Sequence, residues 1–353
     1  MIRRAGISIE RWTPLSLAAS AGGLALVAFL AVAPLILGAN ALDRLTTLFI
    51  YITLGAMWNA LAGYGGLISV GQQAFFGVGA YAAIRLSHAG LPVYPALVLG
   101  GLCAGLFSLL LSSFALRLRG GEFAIGMWVV AELCHLLVNL DGLIQGETGT
   151  SLIALNAFAP EQRRADNYWL AFAIAVALLG LMFALLRGRL GGSIQAIRDN
   201  EEAAASLGVR VLATKRVIFV IAGAGCGLAG AAWLATSITF EPNAYFSVQW
   251  SAYMIFMALV GGLGTFEGPI LGAILFFLIE SFFGASGIWY LVGLGAAALV
   301  FSLFLPRGLW GTLEDRFALH LLPLGYRVRI AAPPPAAPAA SGEAVSPATG
   351  IEG

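Results

Sequence analysis

Two carboxylates lie inside long apolar runs of this sequence, Glu132 and Glu280. An ionised carboxylate at the centre of a bilayer costs at least about 2–3 kcal/mol, so such residues usually face protein or a water-filled cavity. In that position a carboxylate can bind a cation, pass on a proton, or accept a hydrogen bond from a buried hydroxyl or arginine. The sequence leaves these three roles open.

A second set of polar candidates follows a glycine-rich stretch. Ser69, Gln72 and Gln73 could line a path for a polar solute, with Phe76 as part of an apolar wall. The alternative role for such side chains is a hydrogen bond between two membrane helices.

Glycines are concentrated in two windows, one in each half of the chain. Small residues let membrane helices approach closely, and unwound backbone at such places can solvate the carboxylate and ammonium groups of a zwitterion. The similar placement of the two windows also favours a weak internal repeat of inverted topology. The glycines predicted to lie on the path are Gly65, Gly66, Gly261, Gly262 and Gly264.

The residue patterns of an enzyme are absent. The single lysine, Lys215, follows no glycine loop, so the pattern G-x-x-x-x-G-K-[ST] is missing and ATP hydrolysis by this chain is not expected. The three cysteines and three histidines are scattered, which argues against a disulfide framework and a metal site. We therefore expect no catalytic residue, no cofactor and no metal.

The loop 187–216 carries the signals of a short helix. Asp199 or Asn200 can cap it, the two glutamates that follow suit its first turn, and Gly208 can end it. Small alanine side chains in this helix would present a smooth face to a groove in a partner protein, with Arg198 and Glu202 as charged contacts. The alternative is a connection between two membrane helices that has no partner.

All these residues must be carried by membrane helices. The chain has 353 residues, 59% of them hydrophobic and 10% charged, against about 25% charged in soluble domains. That composition excludes an ordinary cytosolic enzyme, a nucleic-acid binder and a disordered chain. It predicts an all-α polytopic membrane protein with about ten transmembrane or partly re-entrant helices. The apolar segments are 15–37, 45–63, 70–87, 93–116, 122–140, 168–186, 217–236, 250–264, 267–284 and 288–305.

The distribution of positive charge predicts the orientation. If ten segments cross the membrane and residue 1 is cytoplasmic, fifteen of the nineteen Lys and Arg residues fall on the cytoplasmic side. Cytoplasmic loops carry such an excess, so both termini are expected inside. The predicted organisation is a cytoplasmic segment at 1–14, a transmembrane domain at 15–310 and a cytoplasmic tail at 311–353, disordered from about residue 331. Within the transmembrane domain, 187–216 is then a cytoplasmic loop and 141–167 a periplasmic loop.

Four segments, in order between residues 42 and 311, resemble the permeases of ABC importers for branched-chain amino acids. They are Gly63–Tyr81, Glu202-Ala203-Ala204-x-x-x-Gly208, Gly261–Ala273 and Leu305–Gly311. The second segment matches the family's EAA-x-x-x-G signature, and the extent of the match points to the M-type subunit. The resemblance implies that this loop docks the permease on an ATP-binding subunit through Arg198, Asp199, Glu201, Glu202, Ala203, Ala204 and Gly208.

The resemblance also implies a set of partners. They are an H-type permease subunit that forms a heterodimer with this chain, two ATP-binding cassette subunits and a periplasmic solute-binding protein, all at the bacterial inner membrane. The expected function is inward transport of a small polar or zwitterionic solute, with branched-chain or related amino acids favoured. A different class stays open, namely an ion- or proton-coupled secondary transporter that uses Glu132 and Glu280.

Overall fold

The computed structural model describes residues 3–4, 7–10, 14–317, 321–322 and 327–330. Helices form most of this part of the chain. They are α1 (Pro14–Val32), α2 (Ala39–Asn59), α3 (Gln73–His88), α4 (Val93–Ala115), α5 (Gly121–Asn139), α6 (Pro160–Arg187), α7 (Arg189–Asp199), α8 (Glu201–Ser206), α9 (Val211–Ser237), α10 (Pro242–Tyr245), α11 (Val248–Gly261), α12 (Gly268–Phe283), α13 (Ile288–Phe304) and α14 (Gly308–Phe317).

Nine helices in the described part of the chain are long and apolar enough to cross a membrane. The predicted all-α polytopic membrane fold is therefore confirmed. The third apolar segment, 70–87, forms α3, which has 16 residues. At 1.5 Å per residue this is about 24 Å, shorter than the hydrocarbon core of about 30 Å. Helices α11 and α12 reach 20 and 19 residues when the helical turns that adjoin them are included, so α3 is the segment that falls short of the ten expected.

Helix α6 begins earlier than its apolar run. It starts at Pro160, whereas the sequence placed the end of the preceding loop at residue 167. Proline suits the first turn of a helix because it has no N–H to leave unpaired, and Glu161 in that turn suits the positive end of the helix dipole. The loop before α6 is therefore shorter than predicted.

Small residues bring α3, α4 and α9 into close contact at the centre of the bundle. A Cβ atom added to Gly79 of α3 would lie 2.2 Å from the carbonyl oxygen of Gly227 on α9. A Cβ on Gly100 of α4 would lie 2.5 Å from the backbone nitrogen of Ala83 on α3. Close backbone packing of this kind is how membrane helices associate without a hydrophobic driving force between them.

The two ends of the bundle differ. One end, which we call the basic end, carries α7 and α8 of the loop 187–216. At the opposite end, strand β3 (Thr150–Ser151) of the loop before α6 pairs antiparallel with β4 (Thr239–Phe240), which follows α9.

A second, three-stranded sheet joins the two terminal segments. Strand β2 (Ile7–Glu10) pairs antiparallel with β1 (Arg3–Arg4) on one side and β5 (Arg327–Ile330) on the other. Residues 7–10 and 327–330 therefore lie side by side. The predicted disordered tail from about residue 331 lies outside the described residues.

Candidate functional site

The two glycine windows meet at the basic end. The Asn59 side chain at the end of α2 donates a hydrogen bond from Nδ2 to the carbonyl oxygen of Thr265, at 2.8 Å. Its Oδ1 accepts a hydrogen bond from the backbone N–H of Gly264, also at 2.8 Å. Asn59 thus uses both ends of its amide to join the segment after α2 to the segment after α11.

Arg198, from the loop 187–216, reaches the same place. Its Nη1 donates a hydrogen bond to the Gly63 carbonyl oxygen at 3.2 Å, and a Cβ added to Gly264 would lie 2.8 Å from that nitrogen. The segment after α2, the segment after α11 and the end of α7 are therefore in direct contact, although they are far apart in the sequence. We call the set Asn59, Gly63, Arg198, Gly264 and Thr265 the basal junction.

Both windows approach the basal junction from the same direction. Helices α2 and α11 each run toward the basic end, where Gly63 and Gly264 contact Arg198. Equivalent segments of an inverted repeat would lie at opposite ends of the bundle. The two glycine windows are therefore not equivalent parts of an inverted repeat.

The backbone after α2 is unwound, as its glycines allow. A π-helical turn, Ala60–Tyr64, follows α2, and residues 65–72 form no regular structure before α3 begins. π-Helical turns are rare and are often found at functional sites. Gly66 has φ +67°, a left-handed conformation that glycine adopts without steric cost.

Ser69, Gln72, Gln73 and Phe76 are all fully buried. Ser69 Oγ accepts from the Gly71 N–H at 3.2 Å, and the Gln73 side chain accepts a hydrogen bond from the Ser251 hydroxyl on α11. The Ser251 bond is the interhelical role that the sequence left open for these residues. Phe76 packs on Trp250, with 4.3 Å between ring centroids. A path role for these four residues stays a prediction.

Gln72 differs from its neighbours because its side chain has no partner. Both its Nε2 and its Oε1 are buried without a hydrogen bond in the part of the chain that the structure describes. Buried amide groups of this kind are rare in folded proteins and call for a specific explanation. Within the predicted path set, Gln72 has the most unused hydrogen-bonding capacity.

The glycines of the second window serve close packing. A Cβ on Gly261 would lie 2.0 Å from the carbonyl oxygen of Gly268, which brings α11 and α12 together. Gly262 has φ +137° and Gly264 has φ +76°, so the turn between the two helices uses conformations that side chains disfavour. Gly65 of the first window also packs tightly, since its added Cβ would lie 2.6 Å from the Leu61 carbonyl oxygen.

The predicted short helix in the loop forms as α8. The Asn200 side chain accepts a hydrogen bond from the Ala203 N–H at 2.9 Å, which is an N-cap, and Gly208 follows the helix with φ +85°. Arg198 and Asp199 lie outside α8, at the end of α7. The turn at Asn200 therefore divides the predicted docking set between two helices.

The two faces of α8 have different surroundings. Ala204 is 2% exposed and faces the bundle, so the structure gives it a packing contact where the sequence expected a partner contact. Glu202 and Ala203 are exposed, and Leu207 at the end of the helix is 84% exposed. A salt bridge of 2.6 Å between Glu201 and Lys215 ties α8 to α9.

The two intramembrane glutamates have separate partners. The Glu132 side chain is 59% exposed and lies 3.4 Å from His135 Nδ1, one turn away on α5. The Glu280 side chain on α12 is half-buried and accepts a hydrogen bond from the Tyr51 hydroxyl at 2.8 Å. Glu132 therefore lies on the surface of this chain, whereas Glu280 lies among helices.

Glu267 sits in the turn between α11 and α12. Burial, reinforced by the negative charge of Glu314, raises the pKa of the Glu267 carboxyl above its ordinary value. This acid therefore adds a titratable group beside the basal junction.

Sequence reasoning missed several residues of this region. Asn59 joins the two windows, yet a single asparagine at the end of an apolar run looks like any helix terminus. Leu207 was overlooked because an apolar residue between small ones gives no signal of exposure. Tyr51 lies in an apolar segment, where its hydroxyl is the signal of a polar partner, because a run that crosses lipid offers a hydroxyl no water.

Comparison with known proteins shows the family to which this chain belongs. The family model described as the permease component of the branched-chain amino acid transport system matches residues 40–305, about three quarters of the chain. The chain belongs to this permease family. The predicted resemblance to branched-chain amino acid permeases is thereby confirmed, and its similarity to LivM permeases agrees with the M-type subunit. The protein is a multi-pass membrane protein of the ABC permease class.

Individual relatives agree with the family. The permease is 29% identical over 316 residues to the high-affinity branched-chain amino acid transport system permease protein LivM of Escherichia coli strain K12, which covers 81% of this chain and 74% of the relative. It is 23% identical over 166 residues to a probable LivM of Methanocaldococcus jannaschii, covering 46% and 48%. It is 24% identical over 192 residues to the fructose import permease protein FrcC of Rhizobium meliloti, covering 52% and 53%. No solved structure matches the chain.

Proposed function

We propose that this chain is the permease subunit of an ATP-driven importer in the bacterial inner membrane and that it catalyses no reaction itself. Its solute is a small zwitterion, with branched-chain amino acids favoured by the family and by the E. coli relative. The observation that carries the proposal is the contact of Arg198 with Gly63, because it connects the loop 187–216 directly to the glycine windows.

The exposed face of α8 supports docking of an ATP-binding subunit there. Glu202, Ala203 and Leu207 are exposed on one side of this short helix. An exposed leucine next to small side chains and a carboxylate offers an apolar anchor with a charged contact beside it. The buried Ala204 and the Glu201–Lys215 salt bridge fix the same helix to the bundle. A force applied to α8 is therefore transmitted to the membrane helices.

Coupling then follows a short chain of contacts. When two ATP-binding subunits close on ATP, each pushes the α8 helix of its permease. The push reaches Arg198 at the end of α7, and from there the basal junction. Because Asn59 holds both glycine windows together, a shift of Arg198 moves α2 and α11 relative to their neighbours. Such a movement changes which end of the bundle is open, as alternating access requires.

Two observations support the orientation that this mechanism needs. The positive-inside bias places the basic end in the cytoplasm. Pairing of β2 with β5 sets residues 7–10 beside residues 327–330, which is consistent with an even number of crossings between them. The opposite end then faces the periplasm.

The opposite end offers a docking surface for a periplasmic solute-binding protein. The β3–β4 pair joins the loop before α6 to the segment after α9, and Glu147 of that loop accepts a hydrogen bond from the Asn243 N–H at 3.1 Å. A loop fixed in this way presents a defined shape to a partner. An H-type permease subunit would complete the transmembrane unit by pairing with this chain.

The docking assignment is tested by substitution in α8 and in the turn after it. We expect Glu202→Gln and Gly208→Ala to lower amino acid uptake in proteoliposomes by about tenfold, because one removes a partner contact and the other strains a turn with φ +85°. ATP hydrolysis by the importer should continue, so more ATP is used per solute. Glu122→Gln, which removes an exposed carboxylate at the start of α5 and outside the loop 187–216, is the control and should match the wild type. Normal coupled uptake in both loop variants contradicts the assignment.

A further inference from the structure

Three tyrosines surround Glu280 in the half of the bundle nearer the opposite end. Tyr51 on α2 is fully buried, and its hydroxyl donates to Glu280 Oε1 at 2.8 Å. Tyr253 on α11 and Tyr290 on α13 are buried beside it, with 6.5 Å between their ring centroids. We call Tyr51, Tyr253, Glu280 and Tyr290 the tyrosine cluster.

The tyrosine cluster has more hydrogen-bonding capacity than its own members use. The Tyr290 hydroxyl is buried and meets the Tyr253 hydroxyl in a contact that falls short of standard hydrogen-bond geometry within the described part of the chain. The Tyr253 hydroxyl accepts one hydrogen bond, from the Gln249 amide, so one of its two lone pairs can accept another. Oε2 of Glu280 has no hydrogen-bond partner among the described residues.

Aromatic rings line the cluster. Phe276 lies 4.6 Å from the Tyr253 ring and 5.0 Å from the Tyr51 ring, between centroids, and Trp233 stacks on Tyr51 at 6.3 Å. The faces of aromatic rings attract cations, most strongly where water is excluded. A single carboxylate among such rings supplies the matching negative charge.

We propose that the tyrosine cluster binds the primary ammonium group of the transported solute. Glu280 supplies the charge, the tyrosine hydroxyls accept the ammonium protons, and the rings exclude water from the ion pair. The proposal rests on the proposed import of a zwitterion and assigns its amino group to a place. A purely structural role for Glu280 is met by the Tyr51 bond to Oε1 alone and leaves Oε2 without a partner among the described residues.

Direct binding tests the proposal without relying on transport. The probes are radiolabelled 3-methylbutylamine, which carries an ammonium and no carboxylate, and 4-methylpentanoate, which carries a carboxylate and no ammonium. They are equilibrated with the purified importer in maltoside micelles, so no lipid headgroup supplies an ammonium. We expect the wild-type importer to bind the amine and not the acid.

Two substitutions that keep the local packing decide the result. Glu280→Gln keeps an acceptor for Tyr51 but loses the charge, and it should weaken amine binding by at least tenfold. Tyr290→Phe removes one hydroxyl of the tyrosine cluster and should weaken amine binding about threefold. The matched control is Tyr168→Phe, whose hydroxyl bonds the Leu30 carbonyl on another pair of helices and which should bind the amine like the wild type. No amine binding by the wild type, or equal binding by Glu280→Gln, overturns the proposal.

The outcome is distinguishable from failure of the proposed function. If the reconstituted importer shows no ATP-driven uptake but binds the amine through Glu280, the ammonium site stands and the transport proposal fails. If uptake is normal in the wild type and in Glu280→Gln, the transport proposal stands and the ammonium site fails.

Discussion

At the scale of single residues, Arg198 connects two parts of the permease that have separate signatures in the sequence. Its guanidinium lies against the backbone of Gly63. Any side chain at position 264 would collide with the guanidinium, so this position needs glycine. The guanidinium of an arginine is planar, and its five N–H donors point in fixed directions. It can therefore keep its hydrogen bond to a carbonyl oxygen while it moves as a rigid group. The charge expected to face the ATPase therefore faces the permease itself.

We predict that Arg198→Gln uncouples the importer. A hydrogen bond from a charged group contributes about 1.5–3 kcal/mol, and each 1.4 kcal/mol corresponds to about a factor of ten. Uptake should therefore fall roughly tenfold or more, with ATP hydrolysis within about twofold of the wild type. The two rates are measured on the same proteoliposomes. Arg210→Gln, an exposed arginine of the same loop, serves as the control, and equal losses in both variants would show that only net charge matters.

At the scale of elements, the loop 187–216 contains two short helices, α7 and α8, joined by a turn at Asn200. A helix of six residues is not stable alone, so α8 depends on its cap, on the buried Ala204 and on the Glu201–Lys215 salt bridge. These three contacts hold α8 on the bundle while its other face stays open.

We predict that Asn200→Ala loosens α8 without unfolding the protein. Loss of an N-cap costs about 1 kcal/mol, which corresponds to about a fivefold larger open population. Amide hydrogen exchange of residues 201–206, followed by mass spectrometry, should speed up by about that factor. Asn200→Asp keeps an acceptor at the cap and should exchange like the wild type. Unchanged exchange in Asn200→Ala would mean that packing alone holds α8.

Much of this element was predictable from the sequence, and some of it was not. The cap at Asn200 and the stop at Gly208 follow from local chemistry, so they were readable from residue types alone. The burial of Ala204 and the direction of Arg198 depend on α2 and α9, which are distant in sequence. No local pattern encodes such contacts.

At the scale of the whole molecule, local composition also predicts some features, whereas others depend on packing between distant helices. Hydrophobic runs predicted the membrane helices because lipid imposes one simple rule on composition. The meeting of the two glycine windows at one end, and the enclosure of Glu280 by tyrosines from three other helices, arise from packing. The basic end and the tyrosine cluster lie toward opposite ends of the bundle, as expected if energy enters at one end and solute at the other.

The energy source of uptake tests the proposed importer most directly. Proteoliposomes are prepared with the complete importer, its binding protein and a radiolabelled branched-chain amino acid, and uptake is followed with ATP or with a proton gradient alone. We predict uptake that requires ATP and the ATP-binding subunits and is unaffected by a protonophore. Uptake that proceeds without those subunits and collapses when the proton gradient is removed would contradict the proposal and would favour a secondary transporter.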